Sequence, residues 1–310
     1  MKIEKVSQTN LKRSILKPLK YRREEAVFDV SIEEMCYGIN CKDDEVLLMS
    51  ESVLYGNEKD LGIFSVAQVM NDLATRGGQL VGVSVHIMLP PYAYDSRLKS
   101  MMEYIERVCS LHDVQVLCAK AEVSPAVTMA IIHMTGVGIT KKETLHSKST
   151  AKPNQDIVLL GWIGLEGTLR ALREKEAELS ERFVPTFLNK IYSLEEELFV
   201  ADAIRLAKEC GASSMKQITG GGILATLWEM ADASKVGLEV ELKKMSIRQE
   251  TVEICEFCHL NPYQLTSVGS VLIFTDDGEA LIEAYKEKGI QASLLGRTTE
   301  DIARIILGGE

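Results

Sequence analysis

The chain has 310 residues, of which 46% are hydrophobic and 26% are charged, and its formal net charge is −10. This composition is typical of a soluble globular protein with about two domains, and no apolar run reaches the ~20 residues that span a bilayer. The negative charge argues against general nucleic-acid binding, which requires a basic surface. We therefore expect neither a membrane segment nor a nucleic-acid partner.

The N-terminal segment contains a local basic stretch, "KRSILKPLKYRR", at 12–23. It is interpreted either as a basic arm or as a flexible, solvated terminus, and we favour the second interpretation. The segment lacks the apolar stretch of a secretory signal. The seven Cys residues are an odd number scattered along the chain, as in proteins of a reducing compartment. We therefore expect a cytoplasmic protein.

Hydrophobic periodicity divides the first half of the chain into short strands and two helices. In chain order, the predicted elements are strands at 34–40 and 45–55, a helix at 62–76, a strand at 79–89, a helix at 96–112, and strands at 114–119 and 126–139. Gly77 and Gly78 end the first helix, and Pro90 ends the strand after it.

A polar segment at 141–154 predicts the boundary between two domains, 1–148 and 149–310. After it, the predicted elements are a strand at 156–164, helices at 167–183 and 193–211, a helix from Gly220 to 234, a helix that begins at 248 and is ended by Pro262, a helix capped by Asp276 or Asp277 and ending near Gly289, and strands at 237–242, 270–275, 291–296 and 303–307. Ser193 and Glu196 have the spacing of a capping box. Both halves are predicted to be α+β, each with a mostly antiparallel sheet and helices on one face.

"CEFCH", from Cys255 to His259, matches the C-x-x-C-H pattern of haem attachment. Ile254, Phe257 and Cys258 share one helical stripe and Pro262 follows, so we expect an ordinary helix and no haem. His133 has no ligand-type residue at metal-binding spacing and is interpreted as a histidine packed in its strand.

The first candidate site is the run Gly220, Gly221 and Gly222 at the start of a predicted helix. Glycine lets the backbone approach a phosphate closely, and a helix N-terminus favours anions. The run lacks the Lys-Ser/Thr of a P-loop and the spacing of a dinucleotide-binding motif. A tight turn without a ligand therefore remains the alternative.

The second candidate is Asp72, in "AQVMNDLATRGGQL" at 67–80. Its helical neighbours are polar, so Asp72 is either a surface charge or one of several carboxylates that hold Mg²⁺, which is usually bound by one or two carboxylates together with phosphates. The acidic residues of the same half that lie at or near predicted strand ends are Glu33, Glu34, Glu51 and Glu122.

These two stretches also carry a resemblance. "VMNDLATRGGQLVGVSVHIMLP" at 69–90 resembles the Asn-Asp helix and following strand of the aminoimidazole ribonucleotide synthetase (PurM-like) superfamily. The segment that begins "TGGGILATLWEMADASKVG" at 219 is similar to the C-terminal domain of the hydrogenase-maturation carbamoyl dehydratases (HypE-like) within it. The resemblance covers most of residues 33–308.

The resemblance implies a two-domain PurM-like α+β fold. Its N-terminal sheet closes into a barrel within a homodimer, and its C-terminal domain is an α/β sandwich. It also implies ATP and Mg²⁺ bound between the domains, with transfer of phosphate to a substrate oxygen. The implied metal ligands are Asp72, Glu51, Glu122 and either Glu33 or Glu34. The implied nucleotide-binding residues are Asn71, Thr219, Gly220, Gly221 and Gly222. Lys120, which follows the replaced glycines of a phosphate loop, is expected to supply a positive charge to the phosphate instead.

The chain departs from the family pattern at several places. Gln217 and Gly220 stand where the family has Asp and Arg beside the second loop. Cys118 and Ala119 replace the glycines of the phosphate loop that falls on "CAKAE", and the chain ends "ILGGE" without the terminal Cys of the dehydratases. We therefore expect an ATP- and Mg²⁺-dependent phosphoryl-transfer protein with an unknown small-molecule or protein acceptor, rather than the dehydratase reaction itself. The alternatives are a non-enzymatic dimeric relative with a degenerate ATP site, and a protein like thiamine-monophosphate kinase.

Overall fold

The structure is a computed structural model that describes residues 4–5, 8–27, 38–91, 93–145 and 151–308. The chain forms two compact units, one of Met1–Leu73 and Gly77–Leu145 and the other of Ala74–Arg76 and His146–Glu310. The main division therefore falls inside the polar stretch at 141–154. Within the described residues, no helix combines the length and the apolar character that crossing a bilayer requires.

The first unit is built on a mixed sheet with the strand order β1-β4-β3-β5-β2. Its described strands are β1 (Glu4–Lys5), β2 (Glu45–Gly56), β3 (Gln79–Leu89), β4 (Gln115–Val123) and β5 (Ala130–Lys141), and its α-helices are α1 (Gln8–Leu11), α2 (Leu61–Thr75) and α3 (Asp95–Leu111). Only β3 and β4 pair in parallel, so the expected mostly antiparallel sheet is confirmed. Most of the predicted strand at 34–40 lies outside the described residues; Ile39 forms a single bridge with Ala26.

Helix α2 packs on one face of this sheet because two glycines of β5 make room for it. A Cβ at Gly136 would lie 2.7 Å from Cβ of Val69, and a Cβ at Gly138 would lie 3.0 Å from Cδ1 of Leu73. Gly136 and Gly138 pair with the even-numbered residues of β2, such as Ser50. The even-numbered side chains of β2 therefore face the helix, and the odd-numbered ones face away from it.

The opposite face of the sheet exposes large apolar side chains along β2. Met49, Val53 and Tyr55 are 62%, 60% and 62% exposed, and Leu47 lies on the same face. In the register of the sheet, Val53 is opposite His133 of β5. An apolar surface of this kind commonly marks an interaction site.

The basic N-terminal segment is not a solvated terminus over residues 8–27, so that expectation is wrong there. Ile15 and Leu19 are buried, and the segment contacts α3 through the π-helical turn Lys12–Leu16. The backbone N–H groups of Lys20 and Tyr21 donate to Oε1 of Glu106, at 2.5 and 2.6 Å. Buried apolar residues and a buried acceptor, which the charge pattern concealed, hold the segment in place.

The second unit is built on a sheet with the strand order β11-β8-β10-β6-β9-β7. Its described strands are β6 (Asp156–Leu160), β7 (Ser214–Ile218), β8 (Gly237–Glu241), β9 (Ser267–Thr275), β10 (Ala292–Thr299) and β11 (Arg304–Leu307), and its α-helices are α4 (Leu165–Glu174), α5 (Glu176–Arg182), α6 (Pro185–Tyr192), α7 (Ala201–Glu209), α8 (Gly222–Ser234), α9 (Gln249–Cys258) and α10 (Gly278–Glu287). All its pairings are antiparallel except that of β11 with β8.

Both faces of this second sheet are covered, so the expectation of helices on one face is wrong for this unit. Ile157 and Leu159 of β6 belong to a core that includes α8. Val158 and Leu160, which alternate with them, belong to a second core that includes α7 and α10. A sheet buried on both faces gives the α/β sandwich that the resemblance implies.

Two predicted helices of the second unit are broken. The helix expected at 167–183 is divided into two helices: α4 ends at Glu174, and α5 begins at Glu176. The helix expected from Ser193 is a 3₁₀ turn over Ser193–Leu198, and α7 begins only at Ala201. The Ser193 hydroxyl donates to the carbonyl of Lys190 and caps nothing, so the capping-box interpretation is wrong.

Candidate functional site

The glycine run lies where the sequence placed it, between the end of β7 and the start of α8. Gly221 is the residue before the first turn of α8, and no side chain caps the helix. Gly222 N–H donates to the carbonyl of Thr219 at 3.0 Å and closes the turn. The first backbone N–H groups of such a helix have no partner within the helix and carry a partial positive charge.

The three glycines of this turn have different reasons to be glycine. Gly221 and Gly222 have φ of 86° and 71°, and a Cβ at Gly222 would lie 2.7 Å from Cα of Gln264. Neither reason applies to Gly220. Its φ is not in the left-handed region, and a Cβ there would meet nothing within 4 Å. The backbone fold therefore explains two of the glycines, and Gly220 leaves open space in front of the turn.

Asp72 lies on the side of α2 that faces the sheet. The Ser50 hydroxyl donates to Oδ2 of Asp72 at 3.3 Å, and one turn earlier Ser52 donates to Gln68 at 3.1 Å. Asp72 is half-buried and its neighbour Asn71 is fully buried. The carboxylate is thus held against polar groups of β2 rather than fully exposed on a solvated helix face.

The structure does not bring the other predicted carboxylates to Asp72. Glu51 follows Ser50 in β2 and points to the opposite, open face, where its Oε2 lies 3.9 Å from Nε2 of His133. Glu122 of β4 lies on that same open face, because it pairs with Met88 two residues beyond the pairs His86–Lys120 and His86–His133, and side chains two residues apart on a strand share a face. Glu33 and Glu34 lie outside the described residues.

The segment "CAKAE" is not a loop. Residues 118–122 lie entirely within β4, and Cys118 and Ala119 are buried. Lys120, expected to contact phosphate, lies with its Nζ 3.7 Å from Oε2 of Glu122. Alternation along the strand puts Lys120 and Glu122 on the same face, so the cation neutralises the neighbouring carboxylate.

A pair of histidines on the open face was missed by the sequence analysis, because it depends on strand register. His86 and His133 are opposite each other in the pairing of β3 with β5. His86 Nε2 lies 3.2 Å from Oε1 of Glu122. Burial, reinforced by the charge of Lys120, lowers the pKa of His86 although Glu122 opposes the change. His86 is therefore neutral at physiological pH.

The described residues do not assemble a metal centre by themselves. Among them, no group of three or more His, Cys, Asp or Glu side chains is placed to hold a metal ion. The Thr219–Gly222 turn lies at a helix start that no side chain caps, whereas Asp72, Glu51 and Glu122 do not converge on one point. The proposed metal ligands therefore stay a prediction.

The "CEFCH" motif forms the end of a helix, as expected. Cys255 and Cys258 lie in the last turn of α9, and His259 ends the helix with φ of 55°. Burial raises the pKa of the Cys255 thiol to about 11 and also raises that of Cys258. Both thiols are therefore protonated at neutral pH, which disfavours nucleophilic or metal-binding roles.

Comparison with known proteins places this geometry in a family. Residues 39–140 match the model of the AIR synthase related protein N-terminal domain, and residues 152–307 match that of the C-terminal domain. A protein of Methanocaldococcus jannaschii named as a hydrogenase expression/formation protein is 25% identical over 252 residues, covering 80% of this chain and 73% of that protein. The carbamoyl dehydratase HypE of Rhodobacter capsulatus is 21% identical over 250 residues, covering 79% and 71%.

Solved structures share the fold at lower identity. The E. coli hydrogenase maturation protein HypE superposes with a TM-score of 0.71 at 17% identity, covering 85% of this chain and 82% of that one. A HypE in complex with ATP gives 0.65 at 19% identity, with coverages of 86% and 80%. A ThiL protein complexed with AMPPCP and TMP gives 0.69 at 18% identity, with coverages of 87% and 86%. With both of its domains matched, the chain belongs to the AIR synthase related protein family and has a two-domain PurM-like fold.

Proposed function

We propose that this chain binds ATP through the Thr219–Gly222 turn and uses it for phosphoryl transfer, in a role related to hydrogenase maturation. Its relatives include hydrogenase maturation proteins, and a HypE and a ThiL of the same fold are known with ATP and AMPPCP bound. The acceptor is a small molecule or a protein. Asn71 and Asp72 keep their proposed roles toward nucleotide and metal as part of this proposal.

One observation carries the proposal: Gly220 has no Cβ although the fold leaves room for one. The open space lies in front of the uncapped N-terminus of α8. Backbone N–H groups at such a position bind phosphate oxygens, and the helix dipole favours their negative charge. In phosphoryl transfer the protein contributes mainly positioning and charge stabilisation, both of which this turn supplies.

Substitution of Gly220 by Asp tests the turn directly. The carboxylate fits the open space, stabilises the helix N-terminus by about 0.3–1 kcal/mol and repels phosphate. We expect Gly220→Asp to keep or raise Tm while its affinity for ATP, measured by isothermal titration calorimetry with and without Mg²⁺, falls by about tenfold or more.

Asn189→Asp is the matched control, because it adds one negative charge at an exposed position of α6 in the same unit. Its ATP affinity should equal that of the unsubstituted chain. Wild-type protein that gives neither heat nor a thermal shift at millimolar ATP would refute the proposal, as would a Gly220→Asp variant that binds ATP normally.

A second candidate is a non-enzymatic relative that binds nucleotide without turnover. It is favoured by Asp72 and Glu51 lying on opposite faces of the sheet and by Lys120 pairing with Glu122. Incubation of the protein with ATP and Mg²⁺, followed by quantification of ADP, separates the two candidates. With water as the acceptor, ADP and inorganic phosphate that form in proportion to protein, and are lost in Gly220→Asp, support the enzyme; binding of ATP without either product supports the non-enzymatic relative.

We also propose that two copies of the chain associate through the open face of the first sheet. The proposal rests on the exposed apolar residues Met49, Val53 and Tyr55, and on the resemblance, which implies a barrel shared by a homodimer. Burying this face would remove apolar surface from water, which is the main driving force of stable protein association.

A further inference from the structure

The second unit contains a cavity of about 730 Å³ that none of the predicted site residues lines. It lies at the C-terminal end of β6, beside the first turn of α7 and the end of α10. Its volume falls within the range of about 300–1,000 Å³ that is typical of small-molecule sites. The Thr219–Gly222 turn is not part of its wall, so the cavity is separate from the proposed nucleotide site.

Part of the cavity wall is an aromatic surface that an ion pair holds in place. The guanidinium carbon of Arg248 lies 4.6 Å from the centre of the Trp162 ring, in cation–π contact. Both carboxylate oxygens of Glu197 accept from Nη2 of Arg248, at 2.5 and 2.6 Å. The charge of Arg248 is therefore compensated, and the indole of Trp162 is held before a ligand arrives.

The other charged side chains of the wall are compensated as well. Asp202 forms an ion pair with Arg205, and Lys286 lies 3.2 Å from an oxygen of Glu283. Asp202 also lies in the first turn of α7, where its carboxylate offsets the partial positive charge of the helix N-terminus. Because these charges are all paired, an ion that entered the cavity would lose hydration without gaining a free counter-charge. The wall therefore favours an uncharged ligand.

Gln291 gives the wall one polar group that the fold does not use. Its Nε2 donates to Oγ of Ser246 at 3.1 Å and to the carbonyl oxygen of Ala292 at 3.4 Å. A carbonyl oxygen can only accept, so this contact decides which side of the amide carries the nitrogen. Among the described residues, none donates a hydrogen bond to Oε1 of Gln291, and this oxygen is not buried. It is an acceptor fixed in advance for a donor on a ligand.

The fixed acceptor and the aromatic surface are neighbours. Gly161, which precedes Trp162, donates its backbone N–H to the carbonyl of Gln291 at 2.8 Å. Much of the remaining wall is apolar, with Phe199 and Ile282 among its residues. We propose that this cavity binds a small, uncharged aromatic compound that carries an N–H donor. The ring lies against Trp162, and the N–H donates to Oε1 of Gln291.

Indole and 1-methylindole test this proposal, because they share a ring system and only indole has an N–H donor. We expect indole to bind saturably in isothermal titration calorimetry. 1-Methylindole should bind about three- to tenfold more weakly, because it cannot donate to Gln291. Indole-3-acetate and tryptamine, which add a negative and a positive charge to the same ring, should gain no affinity over indole from that charge.

Gln291→Met removes the acceptor and keeps a side chain of similar length. In this variant indole should bind as weakly as 1-methylindole. Gln264→Met is the matched control, because Gln264 is exposed in the same unit and outside the cavity wall; it should keep the preference for indole. Trp162→Leu should weaken both compounds about tenfold, whereas Trp162→Phe, which retains an aromatic ring, should keep the preference.

The absence of saturable indole binding would overturn the proposal, as would a preference for indole that persists in Gln291→Met. Binding of either charged compound about tenfold or more tightly than indole would contradict an uncharged ligand. Displacement of indole by ATP would also overturn the proposal, by assigning indole to the nucleotide site. Indole binding does not require ATP binding, so this inference can succeed or fail independently of the proposed function.

Discussion

Glu166 is an ionisable residue of the second unit with only 1% of its surface exposed. Its Oε2 accepts the N–H of Val268 at 3.4 Å, and Nη1 of Arg170 lies 3.6 Å from its Oε1. Burial is the largest effect and raises the pKa of the Glu166 carboxyl despite the opposing charge of Arg170. The charged form of Glu166 therefore costs stability, because desolvation outweighs these contacts.

The raised pKa predicts how Glu166→Gln responds to pH. A carboxyl whose pKa is raised by folding favours the folded state below its unfolded pKa, and that contribution is lost as the pH rises through the folded pKa. We expect Glu166→Gln to increase the free energy of unfolding near pH 8 by about 1 kcal/mol, with the gain disappearing in acid. Calorimetric unfolding between about pH 4 and pH 8 measures this difference.

Glu174→Gln is the control for that substitution, because Glu174 is exposed on the same helix, α4. It should show no comparable dependence on pH. An equal effect of Glu166→Gln at all pH values would contradict the assignment of a buried, destabilising charge.

Asp72 shows how far a single residue can be interpreted from sequence. Helical spacing left a surface charge and a metal ligand as alternatives. The structure shows a half-buried carboxylate hydrogen-bonded to Ser50, which removes the fully solvated interpretation. The metal-binding role of Asp72 stays a prediction, because it depends on further carboxylates, and that of Glu51 lies on the opposite face of the sheet.

At the scale of elements, one buried carboxylate accepts two backbone N–H groups of the N-terminal segment. Oε1 of Glu106, on the buried side of α3, accepts the N–H groups of both Lys20 and Tyr21. Leu19, which directly precedes these two residues in the sequence, is buried. Loss of the carboxylate would leave two backbone donors without their acceptor, which is costly where water is excluded.

We therefore expect Glu106→Ala to release residues 12–23 and to lower the free energy of unfolding by about 1–3 kcal/mol. The basic residues of the segment become accessible, so trypsin should cleave there faster than in the unsubstituted protein. Glu103→Ala, at an exposed position one turn earlier on α3, should leave both the cleavage rate and Tm unchanged. Equal protection of the segment in both variants would show that contacts other than those of Glu106 hold it, among them its buried apolar residues and the hydrogen bond from Arg23 to Gln115.

At the scale of the whole molecule, the open face of the first sheet predicts a dimer. Val53→Glu places a negative charge in the middle of this face, where association would take it out of water. We expect light scattering after gel filtration to give a dimer mass for the unsubstituted chain and a monomer mass for Val53→Glu. Buried unpaired charge costs enough to weaken association at least about a hundredfold.

Val184→Glu provides the matched control, because Val184 is 64% exposed in the second unit, at the start of α6. It introduces the same charge away from the open face and should remain dimeric. A monomer mass for the unsubstituted chain at every concentration would refute the proposed association.

The sequence by itself determined the type and order of most elements. The periodicity of 62–76 and 79–89 predicted α2 and β3 to within one residue. As proposed, Gly77 follows the end of α2, and Asp277 caps the start of α10. These signals are local, because each depends on residues a few positions apart. The resemblance likewise rested on contiguous stretches, and the two-domain PurM-like fold that it implied is confirmed.

The tertiary structure decided which face each side chain occupies and which distant residues meet. One step along β2 separates Ser50, which bonds Asp72, from Glu51, which faces away. Register likewise brought His86 to His133, and folding brought Arg248 into contact with both Trp162 and Glu197. The physical reason is that a strand alternates its side chains with a period of two, whereas the partner across the sheet or cavity is set by long-range packing that no local pattern encodes.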